Sequence, residues 1–336
     1  MGVNIGANAI TKVYLGSTEI TNIYLGSDLL YSAFNPQAII NNFKTRVAND
    51  GGTFEAESNL LSILNSVNDS IGLSKVNMLF TPNAYKAGVG YNVIGATDFA
   101  MLRNTDASRV NSSALIESQA SNIMRIDYSS GNPMILVEPQ STNIFRPSNN
   151  FAASSWQRTG IVFNGTFETD PSGNLVEGLD VSTTGRMFAS YSADSSSTFT
   201  NSIYIKANKV ANLDIRNTSN ALDTISVNTS FQRFSSTAVS ASNTTLFLID
   251  NRITQAANLK IWLYQAQVEV GGLTSIITTE NSAVTRNEDV ITVSPPAGTV
   301  KITTTFEDNT TQVLTTIPST FTLPTGSIRQ VVMQSE

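Results

Sequence analysis

The sequence has no cysteine and no histidine, and charged residues make up only 14% of it. Without cysteine there is no disulfide framework, thiol nucleophile or thiolate metal site. Without histidine the commonest general base is missing, so Ser-His-Asp and Cys-His catalysis within one chain are excluded. Zinc loses its nitrogen and sulfur ligands, which leaves oxygen-ligated Ca²⁺ or Mg²⁺ as the metal chemistry still open. No cofactor is expected.

Basic residues are also scarce: 20 Lys and Arg stand against 26 Asp and Glu, a formal net charge of −6. Polyanion binding needs clustered cations that displace counterions, and no such cluster occurs, so no nucleic-acid partner is expected. No apolar run approaches the roughly 20 residues that cross a bilayer, so no membrane insertion is expected either. Met1 to Ala9 lacks the charged start and apolar stretch of a signal peptide, and Gly6 stands where a myristoylation signal wants Ser or Thr. The expectation is a soluble product of the cytosol.

What is abundant is Ser, Thr, Asn and Gly. Stretches such as VSTTGRMFASYSADSSSTFTNSIYIKANK alternate small polar residues with β-branched and aromatic ones, the composition of a mainly β protein with solvated sheet faces and many turns. The chain opens with a repeat. Ile10-Thr11 and Val13-Tyr14-Leu15-Gly16-Ser17 return ten residues later as Ile20-Thr21 and Ile23-Tyr24-Leu25-Gly26-Ser27, and Val3, Ile5, Gly6 and Ala7 suggest a weaker first copy. Each copy reads as a strand ending in a turn, too small to bury an apolar face alone. It is therefore either a hairpin packed on its own chain or a docking and oligomerisation arm. In the second reading a copy extends its neighbour's edge in register. Val13, Leu15, Ile23 and Leu25 then form an apolar ridge, with Tyr14 and Tyr24 on the reverse face.

Residues 34–72 read as a helical hairpin. Asn35 caps a first helix with Pro36 at its first position, and Ile39, Ile40, Phe43 and Val47 form its buried stripe. Thr53 is expected to cap the second helix, with Glu55 and Glu57 in the first turn and Ala56, Leu60, Leu64 and Val67 buried. Residues 73–147 form an irregular β-rich connection, with a hairpin of Ile123–Tyr128 and Met134–Val137 around SSGN. Residues 148–285 carry short strands at 161–166, 186–190, 200–206, 213–217, 232–237, 245–249 and 259–268, a pattern that suits a two-sheet jelly roll. Residues 286–336 read as a small β tail: TVKITTTF and TQVLTTI form a hairpin around EDN, and FTLPTGSIRQVVM supplies a last strand. The fold class is thus a jelly-roll β-sandwich with an N-terminal β-repeat, a short αα-hairpin and a C-terminal β-hairpin.

From Arg109 onward, SRVNSSALIE, NIMRIDY, PMILVEPQSTNIF and NNFAASSWQRTGI follow in order, then NSIYIKA, SFQRFSST, LFLIDNR, WLYQAQVEVG and TSIITT…SAVTRNEDVI. This ordered set resembles a block found in bacteriophage tail and virion appendage proteins, of fibre, baseplate or head-fibre type. The resemblance covers about residues 40 to 290. It implies a carbohydrate-binding-module-like jelly roll within a virion protein, other virion proteins as partners, a homo-oligomer (a trimer first, from symmetric repetition) and a host-surface glycan as ligand. Tyr204 stands where relatives carry Trp, a smaller aromatic platform. The resemblance brings no catalytic motif to this chain.

A sugar site needs an aromatic face and convergent polar groups. Strand alternation places Tyr204 and Lys206 on one face with Ser202, opposite Ile203 and Ile205, and sets Asp214 and Arg216 apart from Leu213 and Ile215. These faces line one groove if the strands adjoin; otherwise they are solvated sheet surface. Trp262 and Tyr264 share a face of LKIWLYQAQVEV, as further ligand candidates or as core, and Trp156 reads as an anchor for the first strand. A polysaccharide depolymerase would require two carboxylates about 5–9.5 Å apart. Asp170, Glu177, Asp180, Asp214, Asp250 and Glu269 are available, but nothing in the sequence pairs them. DPSGN at Asp170 is a turn without the ligand spacing of a Ca²⁺ loop. The expected function is structural, an appendage component that also touches the host surface. A lectin-like receptor-binding module is the alternative, and an enzyme is not expected.

Overall fold

A computed structural model describes residues 34–192, 194, 196–216, 222–240 and 244–336, together with the backbone of four short strands between 13 and 32. These four are β1 (Val13–Leu15), β2 (Thr18–Ile20), β3 (Asn22–Leu25) and β4 (Asp28–Ser32). β1 pairs with β2 and β3 with β4, as two separate antiparallel hairpins. Each copy of the repeat therefore closes on the segment that follows it, and the expected in-register extension from copy to copy is replaced. The side chains of Val13, Tyr14, Leu15, Ile23, Tyr24 and Leu25, and with them the proposed ridge, lie outside the described residues.

Helix α1 (Pro36–Asn49) begins as the sequence predicts: the Ala38 amide donates to Asn35 Oδ1 at 3.0 Å, and Ile40, Phe43 and Val47 are buried. The second helix differs. Thr53 and Phe54 form strand β5 instead of a cap, and α2 (Glu57–Ser70) starts after Ala56, whose φ is 57°. Pairing of β5 with a neighbouring strand competes successfully with the Thr53 cap, and Glu55 is freed for a tertiary role described below. Leu60, Ile63, Leu64 and Val67 make the buried face of α2.

The strands that follow are β6 (Val76–Lys86), β7 (Val89–Ile94), β8 (Phe99–Leu102), β9 (Ala107–Val110), β10 (Ile116–Gln119), β11 (Arg125–Asp127), β12 (Met134–Val137) and β13 (Ser141–Asn143). Next come β14 (Gln157–Thr169), β15 (Leu175–Ser192), β16 (Thr198–Ala207), β17 (Ala211–Arg216), β18 (Leu222–Val227), β19 (Gln232–Val239), β20 (Thr244–Asp250) and β21 (Leu259–Val270). The chain closes with β22 (Val284–Arg286), β23 (Val290–Val293), β24 (Lys301–Phe306), β25 (Thr311–Leu314), β26 (Phe321–Thr322) and β27 (Gly326–Gln334).

β14 to β21 form a jelly roll. One sheet runs β18-β17-β20-β15, the other β19-β16-β21, and all these pairs are antiparallel. Numbered from β14 as the first strand, the orders are 5-4-7-2 and 6-3-8, so the chain crosses repeatedly between layers. β15 is 18 residues long and spans both layers, pairing β20 with its second half and β21 with its first. Between the sheets lie Ile203, Ile205, Leu213, Ile215, Phe247, Ile249, Ile261 and Leu263. Trp156 anchors this core, with ring centroids 5.1 Å from Phe145, 5.5 Å from Phe151 and 5.8 Å from Phe247.

The expected connecting region and the expected tail are not separate units. Residues from both build one antiparallel sheet ordered β11-β12-β27-β6-β7-β8-β23-β26, with β24 and β25 added at β27 and β5 at β6. β27, read as an appended last strand, lies between β24 on one side and β6 with β12 on the other. One face of this split sheet packs Leu79, Tyr91 and Val332 against both helices. The other closes around Met78, Phe80, Ile126, Ile135, Ile328 and Met333. The jelly roll is an insertion between β12 and β23. Its inbound strand β13 and outbound strand β22 pair with each other, Ser141 opposite Arg286.

Candidate functional site

Where the jelly roll meets the split sheet, three arginines are 0–1% exposed: Arg103, Arg125 and Arg286. A buried guanidinium is tolerated only when its charge and its N–H donors are matched. Here two carboxylates match them. Asp289 pairs with Arg103 at 2.8 Å and with Arg125, and Glu138 pairs with Arg125 at 2.7 Å and Arg286 at 2.8 Å. Glu138 also accepts from the Ser275 amide and hydroxyl, each at 2.7 Å, and its own amide donates to Asp289 at 2.9 Å. Burial works against ionisation of Glu138, but Arg125 and Arg286 outweigh it and hold the carboxyl below its ordinary range. Glu138 leads into the jelly roll, while Arg286 and Asp289 lead out of it. The network clasps both crossings at one point.

A second cluster stands beside it. Arg109 pairs with Glu117 at 2.8 Å and with Glu55 at 3.2 Å, and Glu55 accepts from the Tyr85 hydroxyl at 2.9 Å. Burial, then Glu55, pushes the nearby Tyr128 hydroxyl up to about 12. Sequence reasoning singled out none of these as functional. Yet Arg109, Glu117, Arg125, Glu138, Ser275, Arg286 and Asp289 all lie inside the motifs SRVNSSALIE, NIMRIDY, PMILVEP and TSIITT…SAVTRNEDVI. Residues spread over the sequence converge at this seam.

Four of the five sugar candidates come together on the outer face of the β16–β21 sheet. Register places Lys206 opposite Trp262 and Tyr204 opposite Tyr264. The Lys206 ammonium lies 5.8 Å from the Trp262 ring centroid and pairs with Glu168 at 2.8 Å, and the Tyr204 and Tyr264 rings meet edge-on at 5.8 Å. Trp262 and Tyr264 are nevertheless 5% and 4% exposed. A Cβ at Gly178 would sit 2.7 Å from the Trp262 indole nitrogen, so the indole is packed against a neighbouring strand's backbone and offers no open stacking face. Arg216 is not with them. It lies on β17 in the opposite sheet, and since Leu213 and Ile215 of that strand face the core, the sandwich interior separates Arg216 from Tyr204. β16 and β17 are consecutive in sequence but belong to different layers, which sequence spacing alone does not reveal.

Tyr204 instead lines a cavity of about 410 Å³ across the seam. Arg233 and Leu273 of the inserted module join it there, facing Asp127 and Glu138 of the split sheet and Arg109 of the separate β9–β10 hairpin. Tyr204 is partly exposed, and its ring centroid lies 5.8 Å from the Arg233 guanidinium. Sequence reasoning missed Arg233 because a lone Arg in FQRFSST reads as a solvated strand residue.

The six carboxylates considered for catalysis have individual structural partners. Asp170 accepts from the Ser172 amide at 2.8 Å and so closes the DPSGN turn. Glu177 accepts from the Gly165 amide, Asp180 from Asn164, and Asp214 from Thr224. Asp250 pairs with Arg252 at 2.6 Å, and buried Glu269 accepts from Ser141 at 2.6 Å. Among the described residues no group of three or more acidic side chains is placed to hold a metal ion.

No protein-family model and no curated protein matches the chain. Among solved structures it is similar to a CBM4 module at 12% identity, covering 37% of this chain and 92% of that one, with a TM-score of 0.29. It is likewise similar to the CBM22-1 xylan-binding domain of Paenibacillus barcinonensis Xyn10C, at 13% identity over 40% of this chain and 94% of that one, TM-score 0.29. A third is the enzymatically active domain of bacteriophage CBA120 tailspike protein 4, at 12% identity over 38% of this chain and 21% of that one, TM-score 0.27. The jelly-roll order itself rests on the strand pairing given above.

Proposed function

We propose that the chain is a structural component of a bacteriophage virion appendage, of tail-fibre, baseplate or head-fibre type, which presents its jelly roll to the host surface. The observation that carries this reading is the buried clasp of Arg103, Arg125, Arg286, Glu138 and Asp289. A binding module that only needs to be tethered can hang on a flexible linker. One that must transmit a fixed orientation needs both crossings held, and here they are paired as strands and locked by buried charge. The resemblance in sequence supports the same reading, because its motifs supply every member of the clasp but Arg103. In this reading the N-terminal hairpins attach the chain to sister copies or to another virion protein, and the six carboxylates have structural roles, not hydrolytic ones.

The test is to find the chain in purified particles, by mass spectrometry and by labelled antibody in electron microscopy. Labelling at an appendage supports the proposal, and particles that lack the chain end it. The seam cavity favours host-glycan recognition as a second role of the same protein, and a glycan array on the full chain tests that role separately.

A further inference from the structure

Arg233 is the cation of the seam that the ionic networks leave out. Its Nη1 donates to the Thr274 carbonyl at 2.6 Å and its Nη2 to the Ser202 hydroxyl at 2.9 Å, both neutral oxygens. Its Nε is buried without a hydrogen-bond partner. Among the described residues no carboxylate stands within ion-pair distance of it, although every other arginine of the seam has one. Partly buried guanidinium groups are normally matched by an acid, since an unmatched one keeps its desolvation cost without the return attraction. On the facing wall Asp127 is 5% exposed and, among the described residues, also lacks a cation. It accepts from the Val110 amide at 2.7 Å, from the Ser129 amide at 3.0 Å and from the Ser129 hydroxyl, which leaves one of its roughly four lone-pair sites for a further donor. Tyr204 lies between the two sides and, with Leu136 and Leu273, supplies apolar wall.

We infer that the seam cavity is a binding pocket for one acidic sugar residue, whose carboxylate takes Arg233 and whose hydroxyls donate to Asp127. This deepens the host-contact reading and rests on it. The chemistry is specific on each side. A guanidinium with free N–H groups and no acid selects a carboxylate, and charge-assisted hydrogen bonds of this kind are the strong ones. An ionised Asp is acceptor-only and so selects hydroxyl donors. The apolar wall between them suits the C–H face of a pyranose ring. The cavity of about 410 Å³ falls within the range of small-ligand pockets. Because one wall belongs to the inserted module and the other to the split sheet and the β9–β10 hairpin, the pocket exists only while the clasp holds the two together.

The experiment is titration of the full chain with glucuronate, glucose and acetate, followed by calorimetry or NMR. Glucuronate should bind at least about tenfold more tightly than glucose, the size expected of one charge-assisted contact. Acetate alone should not saturate, and added salt should weaken glucuronate but not glucose. Arg233→Met should erase the preference between the two sugars, whereas Arg233→Lys should keep part of it. Asp127→Asn should weaken both sugars together. Equal affinity of the unaltered protein for glucuronate and glucose overturns the inference, whatever the variants do. So does a preference that survives in a folded Arg233→Met protein. A chain present in virions that shows no preference loses this pocket and keeps its appendage role, and a chain with the preference that is absent from virions loses the appendage role.

Discussion

The jelly roll draws its eight strands from one continuous stretch, Gln157 to Val270, whereas the split sheet is assembled from strands on both sides of that insertion. In the first, contacts such as those of Trp156 with Phe247 close within the module. In the second, β27 must travel past the whole jelly roll before Val331 can meet Phe80. Closing so long a loop costs conformational entropy before any contact compensates it, and non-local sheets form slowly for that reason. The paired strands β13 and β22 offset much of this cost, because they bring the two ends of the insertion together and hold them with the buried clasp. A module that folds locally thus acts as a short closed loop within a sheet that cannot.

The largest effect is expected from removing residues 325–336. Loss of β27 strips partners from β12, β24 and β6, so the split sheet and its helices should unfold. Both tryptophans, Trp156 and Trp262, lie in the jelly roll, so their buried emission should persist while the helical circular dichroism signal falls. Simultaneous loss of both signals would mean that the jelly roll depends on the sheet as much as the sheet depends on it.

Arg125→Met should cost about 3–5 kcal/mol in chemical denaturation, because it strands Asp289 and Glu138 without one of their cations. Phe247→Ala should cost a similar 3–5 kcal/mol or slightly less, but only in the transition that tryptophan reports. A pH titration should separate the two regions more gently. Glu138 has a lowered carboxyl, so its contribution is present above the unfolded value near 4.5 and disappears as pH falls through the lower folded value. The seam should therefore weaken with acid below about pH 4.5, and Glu138→Gln should flatten that dependence. The smallest effect is expected at Lys206→Met. Its partly exposed pair with Glu168 should change stability by no more than about 1 kcal/mol.

Local patterns in the sequence revealed much of the jelly roll and little of the seam. Asn35, Ile40, Phe43 and Val47 specify α1 through capping and periodicity, and both act within a few residues. The alternation of Ile203 and Ile205 with Tyr204 and Lys206 likewise separates core from outer face correctly. Arg216 failed because layer assignment is a property of strand order, and consecutive jelly-roll strands change layers. β27 failed for a related reason: its apolar pattern is legible, but two of its three partners, β6 and β12, lie before the whole jelly roll, and only β24 is near it in the chain. The buried arginines carry no local signature, since burial of Arg125 becomes tolerable only once Glu138 and Asp289 arrive from elsewhere.

If the clasp fixes the jelly roll on the split sheet, the distance between one label on each is single and narrow. The chain has no cysteine, so Asp69→Cys on α2 and Ser190→Cys on β15, both exposed, accept spin labels without background. Pulsed dipolar spectroscopy should give one narrow distance in the otherwise unaltered chain, broadened when Arg286→Met is added. A broad or multiple distribution with the clasp intact would contradict the claim.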